Sequence, residues 1–263
     1  MKKGPYLKIA YIAVHGILSV ILLYFSIMVL LRQMIPNILQ ARTAEGSETA
    51  RFLVPMMFHI LFTFVGMIPS LRLPDTSRNE IERNLLPLTF FSFTVMDISI
   101  VASYVSMRGQ GSMDFSFIGR LHLFAMLFGM TLLLLMGLFH IGINTGKLWQ
   151  FTLLTAAGAL LIASSVPLSV ALYPKDPSLW YADRQFLILP WALGILSSFT
   201  HLSLYIRERT QHNLFRTISF TCISVGNLLF IGRSGTFSVW VGILLLAAGI
   251  VMGIPRDGFS QLE

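Results

Sequence analysis

Five of the six histidines, His15, His59, His122, His140 and His201, fall in stretches apolar enough to lie in lipid. An ionisable side chain in the bilayer is costly, and it marks a functional position by default. Imidazole can hold haem iron or another metal through a neutral ring nitrogen, and it can carry a proton. One acid joins them. Asp97, in Val95-Met96-Asp97-Ile98-Ser99, sits in the middle of the third apolar stretch. It is the acidic residue expected deep in lipid, where a carboxyl stays neutral or exchanges protons instead of carrying a bare charge. Beside a histidine, it is the group a proton-coupled transporter needs. The structural alternative is an acid tied down by Asn227, Thr94 or a histidine.

The elements that must carry these residues are membrane helices. The chain has 263 residues, 55% hydrophobic and 12% charged, with mean hydropathy +0.73. Soluble domains carry roughly 25% charged residues. Crossing the hydrocarbon core takes about 20 apolar residues as a helix. Eight segments qualify: 8–31, 52–71, 86–107, 117–143, 149–173, 186–206, 214–231 and 236–254. The seventh is the weakest, short and rich in Ser and Thr. The expected fold is therefore an all-α polytopic membrane helix bundle, one integral membrane domain over 1–263, with no soluble domain. The apolar run 9–31 is too long for a signal-peptide core and lacks a small-x-small cleavage site, so it reads as a retained first span. Ser77-Arg78-Asn79-Glu80 has the form of a capping box, which predicts that the third helix begins near Ser77. Trp149, Tyr173, Trp180 and Tyr181 fall at span ends, as in an aromatic belt.

With the N-terminus inside, the inner segments hold eleven Lys and Arg against eight on the outer segments. That asymmetry predicts an inner-membrane protein with both termini in the cytoplasm. The net charge of +7 then belongs to span ends and lipid headgroups, and nucleic acid is not an expected partner. The lipid bilayer is the expected partner, with a membrane or redox protein beside it.

Orientation sorts the histidines into two layers. His15, His140 and His201 fall in the inner layer, and His59 and His122 in the outer. His122 and His140 are 18 residues apart, five helical turns and about 27 Å, so both point the same way. This layering resembles that of transmembrane b-type cytochromes, in which paired histidines on neighbouring helices hold haems at two depths. The resemblance implies haem b bound by His59, His122, His140, His201 and His15, for electron transfer or haem handling. Gly66, Gly129 and Gly194 each lie seven residues from His59, His122 and His201, where a porphyrin would need small residues. Arg120, near His122, would snorkel to phosphate or pair with a propionate. The chain departs from the b-type pattern in having three inner candidates instead of two clean pairs. Three inner histidines could also hold a zinc ion with an open position, but the two-histidine motif in the last helix that membrane-embedded zinc hydrolases carry is absent. Singly, a histidine near a helix end, such as His15 or His140, can simply reach the headgroups or a carbonyl.

Other chemistries are excluded by what is missing. Cys222 is the one cysteine, so neither an intrachain disulfide nor a cysteine metal motif exists. Gly232-Arg233-Ser234-Gly235 looks like the glycine-x-serine-glycine element of intramembrane serine proteases, but no histidine follows His212. No lysine lies deep within a span to form a retinal Schiff base; Lys8 stands at the first residue of span one. Span five is rich in Ala and Ser, and span eight has Gly249 and Gly253 four apart, which suits close helix packing. The thirteen methionines read as core filler. Layering, co-facial spacing and the glycine offsets agree on a haem-binding cytochrome or haem-handling protein as the leading function; the alternatives are a proton-coupled small-molecule transporter built on Asp97 and a non-catalytic membrane subunit or scaffold.

Overall fold

A computed structural model describes residues 5–40, 45–72, 80–107, 116–142, 145–166, 188–232 and 236–253. Among these residues every regular element is helical. In chain order they are α1 (Pro5–Gln40), α2 (Glu45–Arg72), α3 (Glu80–Met96), α4 (Ser99–Met107), α5 (Ser116–Ile141), α6 (Leu148–Ser165), α7 (Ile188–Glu208), α8 (Gln211–Gly232) and α9 (Thr236–Gly253), with a short 3₁₀ turn (Thr145–Lys147) before α6. Among the described residues eight spans are long and apolar enough to cross a membrane, as expected. The seventh, the weakest in sequence, is the full-length helix α8. Ser77, Tyr173, Trp180 and Tyr181, with the expected cap and part of the aromatic belt, lie outside the described residues.

The outer helices turn apolar side chains away from the bundle. Leu153, Leu154 and Leu161 on α6 are 69%, 68% and 73% exposed. A surface so apolar is suited to lipid and not to water. The core lies along α3, α4 and α5, which carry the most buried spans. α5 packs against α3, α6 and α7; α2 against α1, α3 and α9; and α8 against α7 and α9.

The third span is one membrane crossing made of two helices. Its described part begins at Glu80, ahead of the apolar segment expected from 86, and breaks at Asp97 and Ile98. Across the break the backbone bonds shorten to the three-residue pattern: Asp97 N–H to the Thr94 carbonyl (3.1 Å), Ile98 to Val95 (3.0 Å), Ile100 to Asp97 (3.1 Å) and Val101 to Ile98 (3.0 Å). Asp and Ser are poor helix formers because their side chains compete for backbone groups, and Asp97 and Ser99 bracket this turn. The Ile100 amide bonds to Asp97, one residue later than the Met96 carbonyl it would take in a continuous α-helix. That carbonyl must then find another donor. It finds His122 Nδ1, at 2.5 Å.

Two close approaches fix the remaining helices. A side chain on Gly226 would meet the Gly242 carbonyl at 2.7 Å, and one on Gly249 would meet the Ser219 carbonyl at 2.7 Å. The α8 and α9 backbones therefore touch through small residues, and Ser219 Oγ donates to the Gly249 carbonyl at 2.7 Å. Between α7 and α8 the chain turns on Arg209, whose φ of 48° lies in the left-handed region. Thr210 Oγ1 then accepts the Asn213 amide at 3.2 Å and caps α8. This hairpin sets His201 on α7 beside the first turns of α8, where Thr217 Oγ1 donates to the His201 carbonyl at 2.8 Å.

Candidate functional site: two buried histidine–carboxylate clusters

The first cluster surrounds the break in the third span. His59, from α2, places Nδ1 2.6 Å from Asp97 Oδ2. Its Nε2 lies 3.0 Å from Asn227 Oδ1, from α8. The ring stacks on Phe230 with centroids 4.2 Å apart and planes 4° from parallel. His59 and Asn227 are fully buried, and Asp97 is 1% exposed. Hydrogen counting then decides the protonation of the pair. Asn227 Nδ2 donates to the Ile223 carbonyl at 2.8 Å, which leaves Oδ1, an acceptor, facing the histidine. His59 Nε2 must therefore carry a hydrogen. A neutral imidazole would then present a lone pair on Nδ1 to a carboxylate oxygen, acceptor against acceptor. At 2.6 Å one proton has to lie between them. The pair is an imidazolium with a carboxylate or an imidazole with a carboxylic acid, and either form holds one exchangeable proton.

Two hydroxyls lie next to this pair and reach His59 through its backbone carbonyl. Thr63 Oγ1 donates to the His59 carbonyl (2.9 Å) and lies 2.8 Å from Thr94 Oγ1. Thr94 Oγ1 is 2.6 Å from His15 Nε2, on α1. His15 Nδ1 faces the Met67 sulfur at 2.8 Å, and Phe64 and Phe91 pack edge-on against the ring. Thr94 is one turn from Asp97 on α3, so α1, α2, α3 and α8 share one buried polar network.

The second cluster lies at the other end of α3. Glu82 is 5% exposed, and its Oε1 is contacted by Arg216 Nη2 of α8 (2.5 Å) and by His140 Nε2 of α5 (2.9 Å). The His140 contact has ion-pair distance without hydrogen-bond alignment. His140 Nδ1 donates to the Met136 carbonyl at 2.5 Å. Next to it lies His201, with ring centroids 6.3 Å apart. His201 is fully buried and stacks on Phe220 at 4.4 Å. The Leu133 carbonyl lies near its ring, yet neither nitrogen makes a hydrogen bond.

The expected layering of the histidines is thus rearranged. His122 and His140 do share a face of α5, and both turn toward the third span, one to its break and one to its start. His140 and His201 do meet. His15 does not join them; it belongs with Thr94 and Met67 in the first cluster. His59 and His122 flank the same helix break but bond to different groups. Glu82 and Arg216 were not singled out from sequence. They read as ordinary charges at span ends, and the early start of α3 brings Glu82 inside.

The glycines two turns from three histidines leave little free space. A side chain on Gly66 would meet Phe90 at 2.9 Å, one on Gly129 would meet Phe93 at 2.6 Å, and one on Gly194 would meet Leu228 at 2.5 Å. Aromatic and aliphatic side chains from the neighbouring helices fill those notches. Arg120 is exposed at the start of α5. Among the described residues no group of three or more His, Cys, Asp or Glu side chains is arranged to hold a metal ion.

Fold and site together define a class: a polytopic membrane helix bundle with buried histidines, two of them paired with buried carboxylates. Comparison with protein-family models, with curated proteins and with solved structures finds no match.

Proposed function

We propose that the protein is a proton-coupled transporter of small molecules, with Asp97 and His59 as its coupling pair. The observation that carries this reading is the Asp97–His59 contact at 2.6 Å, buried at a helix break and holding one proton by hydrogen count. Discontinuous helices near the bilayer midplane are where secondary transporters place substrate and coupling-ion sites. A protonatable acid there has a differential interaction to offer two conformations of the bundle. The excess of Lys and Arg supports an inner-membrane setting with both termini in the cytoplasm, so the Glu82 end of α3 would face the cytoplasm.

Haem b is the other reading of the same histidines, and the packing supports it less. To bind iron, His59 would have to give up Asp97 or Asn227. A porphyrin would also have to displace Phe90, Phe93 or Leu228 from the glycine notches.

Two measurements test the proposal. Proteoliposomes on a solid-supported membrane, given a pH step, should show a transient current for the wild-type protein. That current should be lost in Asp97→Asn and recovered in part in Asp97→Glu. Equal currents in wild type and Asp97→Asn would remove Asp97 as the coupling group. An absorption spectrum of haem-replete protein, oxidised and then reduced, tests the alternative. A b-type reduced band that weakens in His122→Ala or His201→Ala would transfer the function to haem.

A further inference from the structure

We propose that His140 and Glu82, with His201 beside them and Arg216 as fixed counter-charge, form a second proton-binding site, at the opposite end of α3 from Asp97.

Only one nitrogen of His140 can gain or lose a proton. Nδ1 donates to the Met136 carbonyl at 2.5 Å, and a carbonyl can only accept, so Nδ1 keeps its hydrogen. Nε2 is the nitrogen that gains or loses a proton, and it lies 2.9 Å from Glu82 Oε1. With Nε2 bare, two acceptors face each other in a buried site. With Nε2 protonated, an imidazolium faces a carboxylate. Proton binding thus converts a repulsive contact into an attractive one, which is what a built proton site requires.

Arg216 keeps Glu82 supplied with a positive partner at 2.5 Å whichever state His140 is in. Without it, loss of the proton would leave a lone buried carboxylate, a cost of several kcal/mol. His201 adds the second independent observation. It is fully buried, its ring lies 6.3 Å from that of His140, and both nitrogens lack hydrogen-bond partners. An unsatisfied buried polar group costs about 1–3 kcal/mol. One nitrogen of the neutral His201 ring is therefore an unbonded acceptor beside the cluster.

The groups facing His140 come from each element packed on it. They are Glu82 from α3, Arg216 from α8, and His201 from α7, with Arg207 of α7 at the Ile141 carbonyl beyond (3.2 Å). The described residues of α4 and α6 contribute no charged side chain. In the binding step an N–H bond forms on Nε2 and an O–H bond of a hydronium breaks. In release the same proton returns to water, and no electrons move.

Glu82 and Asp97 are 15 residues apart, about 22 Å along a helix axis. The two sites are separate, and the second extends the proton-coupled reading without depending on the Asp97 contacts.

Nitrogen-15 NMR of histidine-labelled protein in nanodiscs, recorded as a function of pH, tests the site. The His140 ring is assigned through its contacts to Met136 and His201 and by loss of its resonances in His140→Gln. Its Nε2 resonance should titrate within the pH range where the protein stays folded. Glu82→Gln should move the midpoint by about one pH unit or more, as expected for removal of an adjacent opposite charge. Asp97→Asn should leave the midpoint in place. A His140 ring that keeps one protonation state across the whole folded range overturns the proposal, and so does a midpoint unmoved by Glu82→Gln. If Glu82→Gln fails to fold, the wild-type titration alone still decides. Loss of the pH-step current in Asp97→Asn bears on the other site, so failure of either reading is distinguishable.

Discussion

His122 donates through Nδ1 to the carbonyl of Met96 at 2.5 Å, across the break that separates α3 from α4. The backbone of the third span leaves that carbonyl without its helical partner, and a side chain from α5 replaces it. In lipid, an unsatisfied carbonyl has no water to turn to. His122→Phe should therefore cost about 1–3 kcal/mol, the penalty of a buried group left unpaired. Thermal unfolding in detergent checks this. A variant as stable as wild type would mean that the break does not rely on His122.

The proton count at Asp97 rests on Asn227. In Asn227→Leu, the His59 Nε2 hydrogen has no acceptor, and neutral His59 can turn its remaining proton toward Asp97 through Nδ1. The expected result is a pair that needs no additional proton, with the pH-step current reduced and stability lowered by about 1–3 kcal/mol. Unchanged current in a folded Asn227→Leu protein would separate the amide from proton loading.

Removing one member of a buried hydrogen-bonded pair leaves the other without a partner, at about 1–3 kcal/mol. Asp97→Ala should be destabilised on that scale relative to wild type. Asp97→Asn, which keeps the shape and a polar contact to His59, should lose much less. Equal unfolding temperatures for the two variants would show that the pair contributes little to holding α2 against α3.

Thr94 joins His15 to Thr63 through one hydroxyl, at 2.6 and 2.8 Å. Thr94→Val preserves shape and removes that link, whereas Thr94→Ser preserves the link. Proton transfer after a pH step should slow in the valine variant and stay near wild type in the serine variant. Identical kinetics in all three would exclude the Thr94 hydroxyl from proton transfer.

The α8–α9 contact gives a stability test away from both clusters. Gly226→Val would drive a side chain into the Gly242 carbonyl and the Leu246 amide, both at 2.7 Å from its first carbon. Overpacking of this kind costs about 1–3 kcal/mol. Backbone atoms cannot rotate away, so the lower unfolding temperature should persist in Gly226→Ala to a smaller degree. An undisturbed Gly226→Val protein would contradict the tight crossing.

Much of the fold was legible because lipid imposes a simple rule on sequence: a membrane crossing must be apolar and long enough. That rule located eight spans, including the weak seventh, and placed His122 and His140 on one face of α5. It also marked Asp97 as an acid that Asn227, Thr94 or a histidine could hold; a histidine, His59, does, and Asn227 meets that histidine. Glu82 and Arg216 escaped because a charge at a span end is usually solvated, and hydropathy cannot tell such a charge from one turned inward. The glycine spacing invited a porphyrin, but a missing side chain on one helix says nothing of what a neighbouring helix inserts there. Phe90 and Phe93 fill two of those gaps.

Sequence by itself determined the class of this protein, because hydrophobic length and charge placement act segment by segment. It also determined which residues could exchange protons or bind metals. Which of them meet depends on how the helices pack. His15 joined Thr94 instead of the other histidines of its expected layer, and Glu82 joined His140 and Arg216. The physical reason is that depth along a helix is readable from one segment, whereas hydrogen-bond partnership depends on the rotation and crossing of four helices packed together. Those crossings are set by distant contacts such as Gly226 on Gly242 and by the break at Asp97, and no local pattern records them.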